Sequence, residues 1–549
     1  MNKKKKDNLG GIPLSPGESM DLYSHYVAQM ALGDASPIDV DRLRASGRGR
    51  PRAAGGMPYV FTVGDIRRMH PKSLPPSPTD REYSLLANRM ERALLESGLD
   101  ELASPGAMKA IVGRVVMYFE DIVADAGMWR AFVTKSRELY GQPYPFYSVD
   151  GDEPFADEPD MGAVRLLVWD AFRDFRGPGR VINPENPLLT MAARILFGII
   201  DAEFENVAIN EQLADYFREA RFADDFYEMR DVLKWIFFDC YLTSDSRAWG
   251  IVEESMRELA PFTTGQEAYY AAECAVPMLT QVGMLALLPK DWLSLFVGAV
   301  GSKRVADRIA GVEVTGMVEV LRKTGFDTDT VSLVDTDGRQ IVLRRDDCRG
   351  MSDKDLERGE GAIGCYAKYD GHWYLNGNHA WGKLGAVFDE TRRIRQSDKG
   401  LSEREYSHLM ELTGRSPLFY FKDIGQVVKF LKEEMGGSRI VNAPEGRPDA
   451  TNIAMFALGP GEPLAFVVGG AQCICDPRNP YYDRKNARND ALGVVVDGRQ
   501  TPGVVARYLI AHGMLPDAGI NSARGDEYGR RLLQDNIDFF ARAYRREDY

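Results

Sequence analysis

At 549 residues the chain is too long for one compact domain, and its 44% apolar and 27% charged composition is that of an ordinary globular protein. Collagen-like chains, disulfide miniproteins and wholesale disorder are thereby excluded. With 68 Lys and Arg against 81 Asp and Glu, the net charge is −13, so the surface as a whole is no coat for nucleic acid.

The start, Met-Asn followed by Lys3 to Lys6, has the charge of a signal peptide, but Asp7, Pro13, Pro16 and Glu18 follow in place of an apolar stretch. We expect no secretory leader. Residues 1 to about 78 repeat Gly, Pro, Ser and Arg, as in Arg48-Gly-Arg-Pro-Arg52 and Pro75-Pro-Ser-Pro78. Such composition predicts a mostly disordered tail, with one short helix over 19–30. Residues 1–60 carry nine basic and six acidic side chains, a weak excess that offers nucleic acid or a protein partner limited contact.

A helical domain is predicted over 79–305. Thr79 and Asp80 offer an N-cap before Leu85, Leu86, Met90, Leu94 and Leu95 at helical spacing. Further helices are read at 108–125, 128–140 and 161–175, with four or five more to residue 300. The longest charge-free apolar stretch, Ala275 to Pro289, holds two prolines and is too short to span a bilayer, so a buried helix is expected there.

Near residue 312 the period switches to two. Thr330 to Val334 and Gln340 to Leu343 flank Asp337-Gly338, and Cys365 to Tyr369 and His372 to Leu375 flank Asp370-Gly371. Asp-Gly suits the tight hairpin turn, which requires positive φ. These hairpins predict a small β-barrel over 310–390, SH3-like or OB-like. Residues 400–549 read as an α+β module with a helical C-terminus. The fold class expected is therefore multidomain α+β.

Six cysteines, at 240, 274, 348, 365, 473 and 475, are sparse and have no CxxC pair. Reduced thiols in a cytoplasmic protein are the plain reading. Cys473 and Cys475 could share a metal only if they lie on one side of a strand. Gly359-Glu-Gly-Ala-Ile-Gly364 has dinucleotide-loop spacing but precedes a strand where a helix is required. Gly377 to Leu384 matches a P-loop except that Leu384 replaces the Mg²⁺-binding Ser or Thr. Trp373, Tyr374 and Trp381 there are better read as barrel packing. His372 and His379, with Asp370, are too loosely spaced to predict a metal site. No G-x-S-x-G elbow occurs, and we expect no cofactor and no metal.

Acids within apolar helices carry the remaining signal. Asp170 falls opposite Val164, Val168, Ala171 and Phe175 and is expected in solvent. Asp121 falls with Arg114 and Asp125 on a polar face, and Glu120 lies at the margin of the apolar one. Asp239 shares a face with Val232, Trp235, Ile236 and Leu242. A buried carboxylate needs a partner, so Asp239 reads as a paired structural acid, with a catalytic or metal-binding acid and a helix end near water as the alternatives. Glu120 and Asp239 are the candidate catalytic residues.

Several phrases, in order, resemble a known set. They are Tyr118-Phe-Glu-Asp121, Gly127-Met-Trp-Arg-Ala-Phe132, Glu138-Leu-Tyr-Gly141, Pro145-Phe-Tyr147, Asp370-Gly-His-Trp-Tyr-Leu-Asn-Gly377, Cys475-Asp-Pro-Arg-Asn-Pro-Tyr481, Asp535-Asn-Ile-Asp-Phe-Phe540 and Arg545-Arg-Glu-Asp-Tyr549. From about residue 80 the chain resembles a family of uncharacterised proteins common among gut bacteria, a domain of unknown function. The resemblance implies a bacterial, cytoplasmic protein, supplies no activity, cofactor or catalytic residues, and leaves the function open. The leading functional expectation is a non-catalytic binding or scaffold protein. The alternatives are an enzyme with an acidic pocket around Glu120 and Asp239, and a nucleic-acid-associated protein using the basic tail and barrel.

Overall fold

The computed structural model describes residues 60–99, 105–147, 156–177, 181–259, 265–348, 352–397, 400–435 and 451–549. The chain begins with helices α1 (Val63–Arg68), α2 (Asp80–Glu96), α3 (Pro105–Ala124), α4 (Met128–Tyr140), α5 (Met161–Arg176) and α6 (Pro187–Glu203). There follow α7 (Glu211–Glu219), α8 (Phe226–Phe238), α9 (Ala248–Leu259), α10 (Gly265–Leu279), α11 (Pro289–Val300) and α12 (Lys303–Ala310). The short 19–30 helix lies outside the described residues. Pro277 sits inside α10, and no helix among the described residues is long and apolar enough to cross a membrane.

Helix α3 is the axis of this body. Residues 111–122 are all buried, so the helix has no solvent face. Its polar groups must then be satisfied inside the protein. Asp121, expected on a polar face, is buried and accepts hydrogen bonds from the backbone N–H of Met128 (3.1 Å) and Trp129 (2.6 Å) and from the Tyr241 hydroxyl (2.7 Å). It closes the start of α4, where backbone N–H groups have no partner within the helix. Burial still raises its pKa to about 6 against those three donors.

The stretch 60–78 corrects the expected tail over that part. Phe61, Ile66 and Leu74 are in the core. A capping box between Thr62 and Asp65 starts α1, and Asn88 on α2 exchanges two 2.8 Å hydrogen bonds with the Phe61 backbone.

Six strands follow: β1 (Glu313–Val314), β2 (Glu319–Phe326), β3 (Thr330–Val334), β4 (Gln340–Arg344) and, after α13 (Asp353–Arg358), β5 (Gly361–Tyr369) and β6 (His372–Gly382). Their order is β1-β5-β2-β3-β4-β6, and β6 also pairs with β5, so β2 to β6 close into a five-stranded barrel. The β4–β6 pair is parallel, which makes the closure a Greek key of the OB-like kind. Asp370 and Gly371 both take positive φ, as the tight hairpin requires. The glycine-rich phrases at 359–364 and 377–384 fall largely within β5 and β6 and form no phosphate loop. Trp373 and Trp381 pack the barrel core, while Tyr374 stacks on Phe226 of α8 with ring centroids 4.6 Å apart. The barrel thus docks on the helical body, with Tyr369 donating to the Ala223 carbonyl and Asn376 to that of Cys274.

The C-terminal part holds α14 (Gly385–Ser397), α15 (Glu403–Leu412), β7 (Leu418–Asp423), α16 (Ile424–Glu434), β8 (Thr451–Phe456) and β9 (Ala465–Val467), the strands forming one antiparallel sheet. Cys473 ends a 3-10 turn, buried, and Cys475 is exposed, so the two do not share a strand face. Helices α17 (Ala487–Val496), α18 (Gly503–Ala511), α19 (Asp526–Asp535) and α20 (Ile537–Arg545) complete the chain. Phe539, Phe540 and Tyr544 of α20 pack on Trp169 of α5, and Phe539 and Phe540 also meet Phe146.

A buried ion network locks this return. Asp170, expected in solvent, is 1% exposed and pairs with Arg114 of α3, Arg173 of α5 and Arg546 in the last turn. Arg546 also reaches Asp245 (2.7 Å), and Arg114 reaches Asp174 (3.1 Å). Burial alone would raise the Asp170 pKa, but Arg114, Arg173 and Arg546 hold it at about 2. The wheel failed here because both faces of α5 near Asp170 are covered by protein.

Asp170 has a folded pKa below its unfolded value, so its stabilisation is complete above about pH 4 and is lost as pH falls toward 2. Asp170→Asn removes the carboxylate that three guanidinium groups share, and we expect a loss of about 3–5 kcal/mol in urea unfolding at pH 7, shrinking toward pH 2. At Gly377, φ is +101° and an added Cβ would lie 3.0 Å from Ala271 Cα of α10. Gly377→Ala should therefore destabilise the docked barrel by about 1–3 kcal/mol, read as earlier proteolysis within 321–384.

Candidate functional site

The chain between α1 and α2 is held in place by its backbone. The Trp235 indole of α8 donates to the Met69 carbonyl at 2.8 Å, and Ser73 Oγ lies 2.6 Å from the Tyr216 hydroxyl of α7. Pro71 stiffens the turn, and the Leu74 N–H returns to its carbonyl. His70 is thereby directed inward and is 5% exposed.

Beneath it stands Glu120 of α3. His70 Nε2 lies 2.8 Å from Glu120 Oε2, and Asn210, just before α7, donates to Glu120 Oε1 at 2.7 Å. The Nε2 position of His70 is thereby engaged by Glu120, which orients the ring. The other nitrogen, Nδ1, faces Asp80 Oδ1 at 3.8 Å, beyond hydrogen-bonding distance. Asp80 begins α2, and its Oδ2 accepts from the Ser77 N–H at 3.2 Å, while Oδ1 is buried without a hydrogen-bond partner. Asn210 Oδ1 is likewise buried and unpartnered.

Burial alone would lower the His70 pKa, but Glu120 and then Asp80 outweigh it and hold it above the usual histidine value. Burial raises Asp80, and His70 only partly offsets that.

A cavity of about 320 Å³ opens over this floor, lined by Arg67, Arg68, Lys72, Leu74, His70 and Asp80 among others. Arg67 and Lys72 are exposed and make no salt bridge among the described residues, and Arg68 has only a 3.9 Å contact with Asp65. The site is therefore a cationic rim over a floor of one imidazole and two carboxylates. Among the described residues, His70, Asp80 and Glu120 are also the group of metal-ligating side chains whose atoms converge, all within 4.8 Å of one another.

Of the two candidate acids read from the sequence, Glu120 is in this floor. Asp239 is not hydrogen-bonded to it. Asp239 caps the end of α8, half-buried, and the cations acting on it are Arg68 and Lys72. The helix-end alternative describes it, and no paired partner holds its carboxylate among the described residues. His372, His379 and Asp370 do not converge; His372 is exposed, and His379 is half-buried in β6 with its pKa lowered to about 4 by desolvation. Sequence reasoning missed His70, Asp80 and Asn210. The one local signal was a histidine and an aspartate bracketing a proline-rich run, which reads as loop.

A family model described as "Protein of unknown function (DUF3843)" matches residues 64–320 and 385–546. The match starts just ahead of His70, earlier than the resemblance at about residue 80, and includes every residue of the site. It omits 321–384, which is the barrel from within β2 to the end of β6, together with the phrase at 370–377. No curated protein and no solved structure matches the chain significantly.

Burial raises Asp239 to about 6 against Arg68 and Lys72. The folded chain then binds its proton more tightly than the unfolded chain, so stability falls as pH rises from about 4 to 6. Asp239→Asn should raise the melting temperature at pH 7 and leave it nearly unchanged at pH 4 in calorimetry. A lower melting temperature at pH 7 would mean that the carboxylate is paired.

Proposed function

The chain belongs to the DUF3843 family, whose description assigns no function, and we propose that it is a binding protein for a small anionic ligand of the phosphate kind. The observation that carries this is the rim: Arg67, Arg68 and Lys72 converge on one cavity with almost no carboxylate pairing. Cations that lack close carboxylate partners keep their N–H donors free, and an anion bearing several acceptor oxygens engages them through charge-assisted hydrogen bonds. The volume suits a ligand of small-metabolite size. This reading agrees with the binding role expected from the sequence and assigns it to the helical body. The basic tracts at 3–6 and 42–52 lie outside the described residues.

An enzyme acting on the bound anion is the second reading. It is favoured by the buried floor, since sinking His70, Asp80 and Glu120 is more costly than holding an anion requires.

Calorimetric titration of the full chain with inorganic phosphate tests the first reading. One ion per chain is expected, with affinity about tenfold weaker in Arg67→Ala and in Lys72→Ala, each loss matching one charged contact of about 1.4 kcal/mol. Binding unaffected by both changes, or no binding at low salt, would refute it. Hydrolysis of a phosphate monoester by the wild type, abolished in Asp80→Asn, would replace it with the second.

A further inference from the structure

Three features of the floor go beyond what anion binding needs. The first is the orientation of His70. The hydrogen bond to Glu120 engages Nε2, which leaves Nδ1 as the nitrogen presented toward Asp80. A histidine that ligates a metal through one nitrogen commonly donates the other N–H to a carboxylate, which fixes the ring and strengthens it as a ligand. The second is Asp80 Oδ1. Asp80 lines the cavity, and its Oδ1 is buried with no hydrogen-bond partner, a costly state for a carboxylate oxygen. The third is spacing. Ligand atoms at about 2.1 Å from a four-coordinate ion stand roughly 3.4 Å apart, and His70 Nδ1 and Asp80 Oδ1 stand at 3.8 Å. An ion between them requires a shift of a few tenths of an ångström.

We infer that His70 Nδ1 and Asp80 Oδ1 hold a divalent metal ion at the floor of the cavity, with Glu120 and Asn210 as the outer support of His70. One imidazole with oxygen donors suits Mn²⁺, Fe²⁺ or Zn²⁺ better than Ca²⁺ or Mg²⁺, whose ligands are oxygen alone. Two protein ligands leave coordination positions open toward the cavity. There a phosphate-like oxygen bridges the ion below and Arg67, Arg68 and Lys72 above. This inference rests on the anionic-ligand reading for what fills those open positions; the ion site itself stands on the floor residues alone.

The full chain, stripped of metal and kept free of phosphate, is titrated with Mn²⁺, followed by electron paramagnetic resonance of the free ion, and separately with Zn²⁺ by calorimetry. One ion per chain is expected with at least one of them, weakened at least tenfold in Asp80→Asn and also weakened in Glu120→Gln, both variants checked for an unchanged circular dichroism spectrum. X-ray absorption of the loaded wild type should show one imidazole among oxygen neighbours. This measurement decides the matter if the variants do not fold. Binding of neither ion, binding indifferent to Asp80, or a bound ion without an imidazole would overturn the inference. Because no anion is present, each of these failures leaves phosphate binding to metal-free protein standing or falling on its own titration.

Discussion

The buried network around Arg546 is the constraint on which the helical body depends. Asp170, Asp174 and Asp245 meet Arg114, Arg173 and Arg546 where water is excluded. Each ion alone would cost several kcal/mol to bury, so the network forms as a set or not at all. Its members come from α3, α5, the turn before α9 and the final turn of the chain. Arg546 enters it with φ at +48°, a left-handed backbone that a non-glycine residue adopts only when its surroundings dictate it. The aromatic packing of α20 on Trp169 supplies the apolar gain, and the network fixes the register in which that packing occurs.

Helix α3 carries this constraint to the candidate site. Along it, Arg114 enters the network, Glu120 orients His70, and Asp121 closes the start of α4. The helix is buried on every side over 111–122, so each of these three groups has a dedicated partner rather than water. A rotation or slide of α3 would unpair all three together. Glu120, beneath the cavity, is therefore placed by the rigid centre of the fold, whereas the rim comes from the end of α1 and the short segment after it.

What the sequence made legible follows from the range of the interactions involved. The hairpins at 330–344 and 365–375 were readable because turn residues and period-two alternation act between near neighbours. Helix α4 likewise matches its expected span of 128–140. The wheel misplaced Asp170 and Asp121 because it assumes that the polar side of a helix meets water, and α3 and α5 have protein there. Residues 60–78 have the composition of a loop, with Pro71, Pro75, Pro76 and Pro78. Their order comes from Asn88, Trp235 and Tyr216, which are distant in sequence. His70, Asp80, Glu120 and Asn210 span 140 residues with no mutual spacing rule, so no local pattern could assemble them. The position of Asp239 depended on where α8 ends, and helix boundaries are the least certain feature of any pattern.

The barrel stands apart from this in a specific way. It is the part the family match omits, and the chain enters and leaves it at neighbouring points: Arg322 donates to the Gly385 carbonyl at 3.3 Å, and Arg395 of α14 pairs with Glu319. Close termini on a separate core are the geometry of an inserted unit. Yet the barrel is not connected at its ends alone. Phe226, at the first turn of α8, stacks on Tyr374, while Trp235 on the same helix holds the Met69 carbonyl beside His70. Nine residues of helix separate the two contacts, about 14 Å of rigid rod. The site therefore belongs to the framework the family shares, and the barrel reaches it through one helix, the segment whose far end is Asp239, facing Arg68 and Lys72.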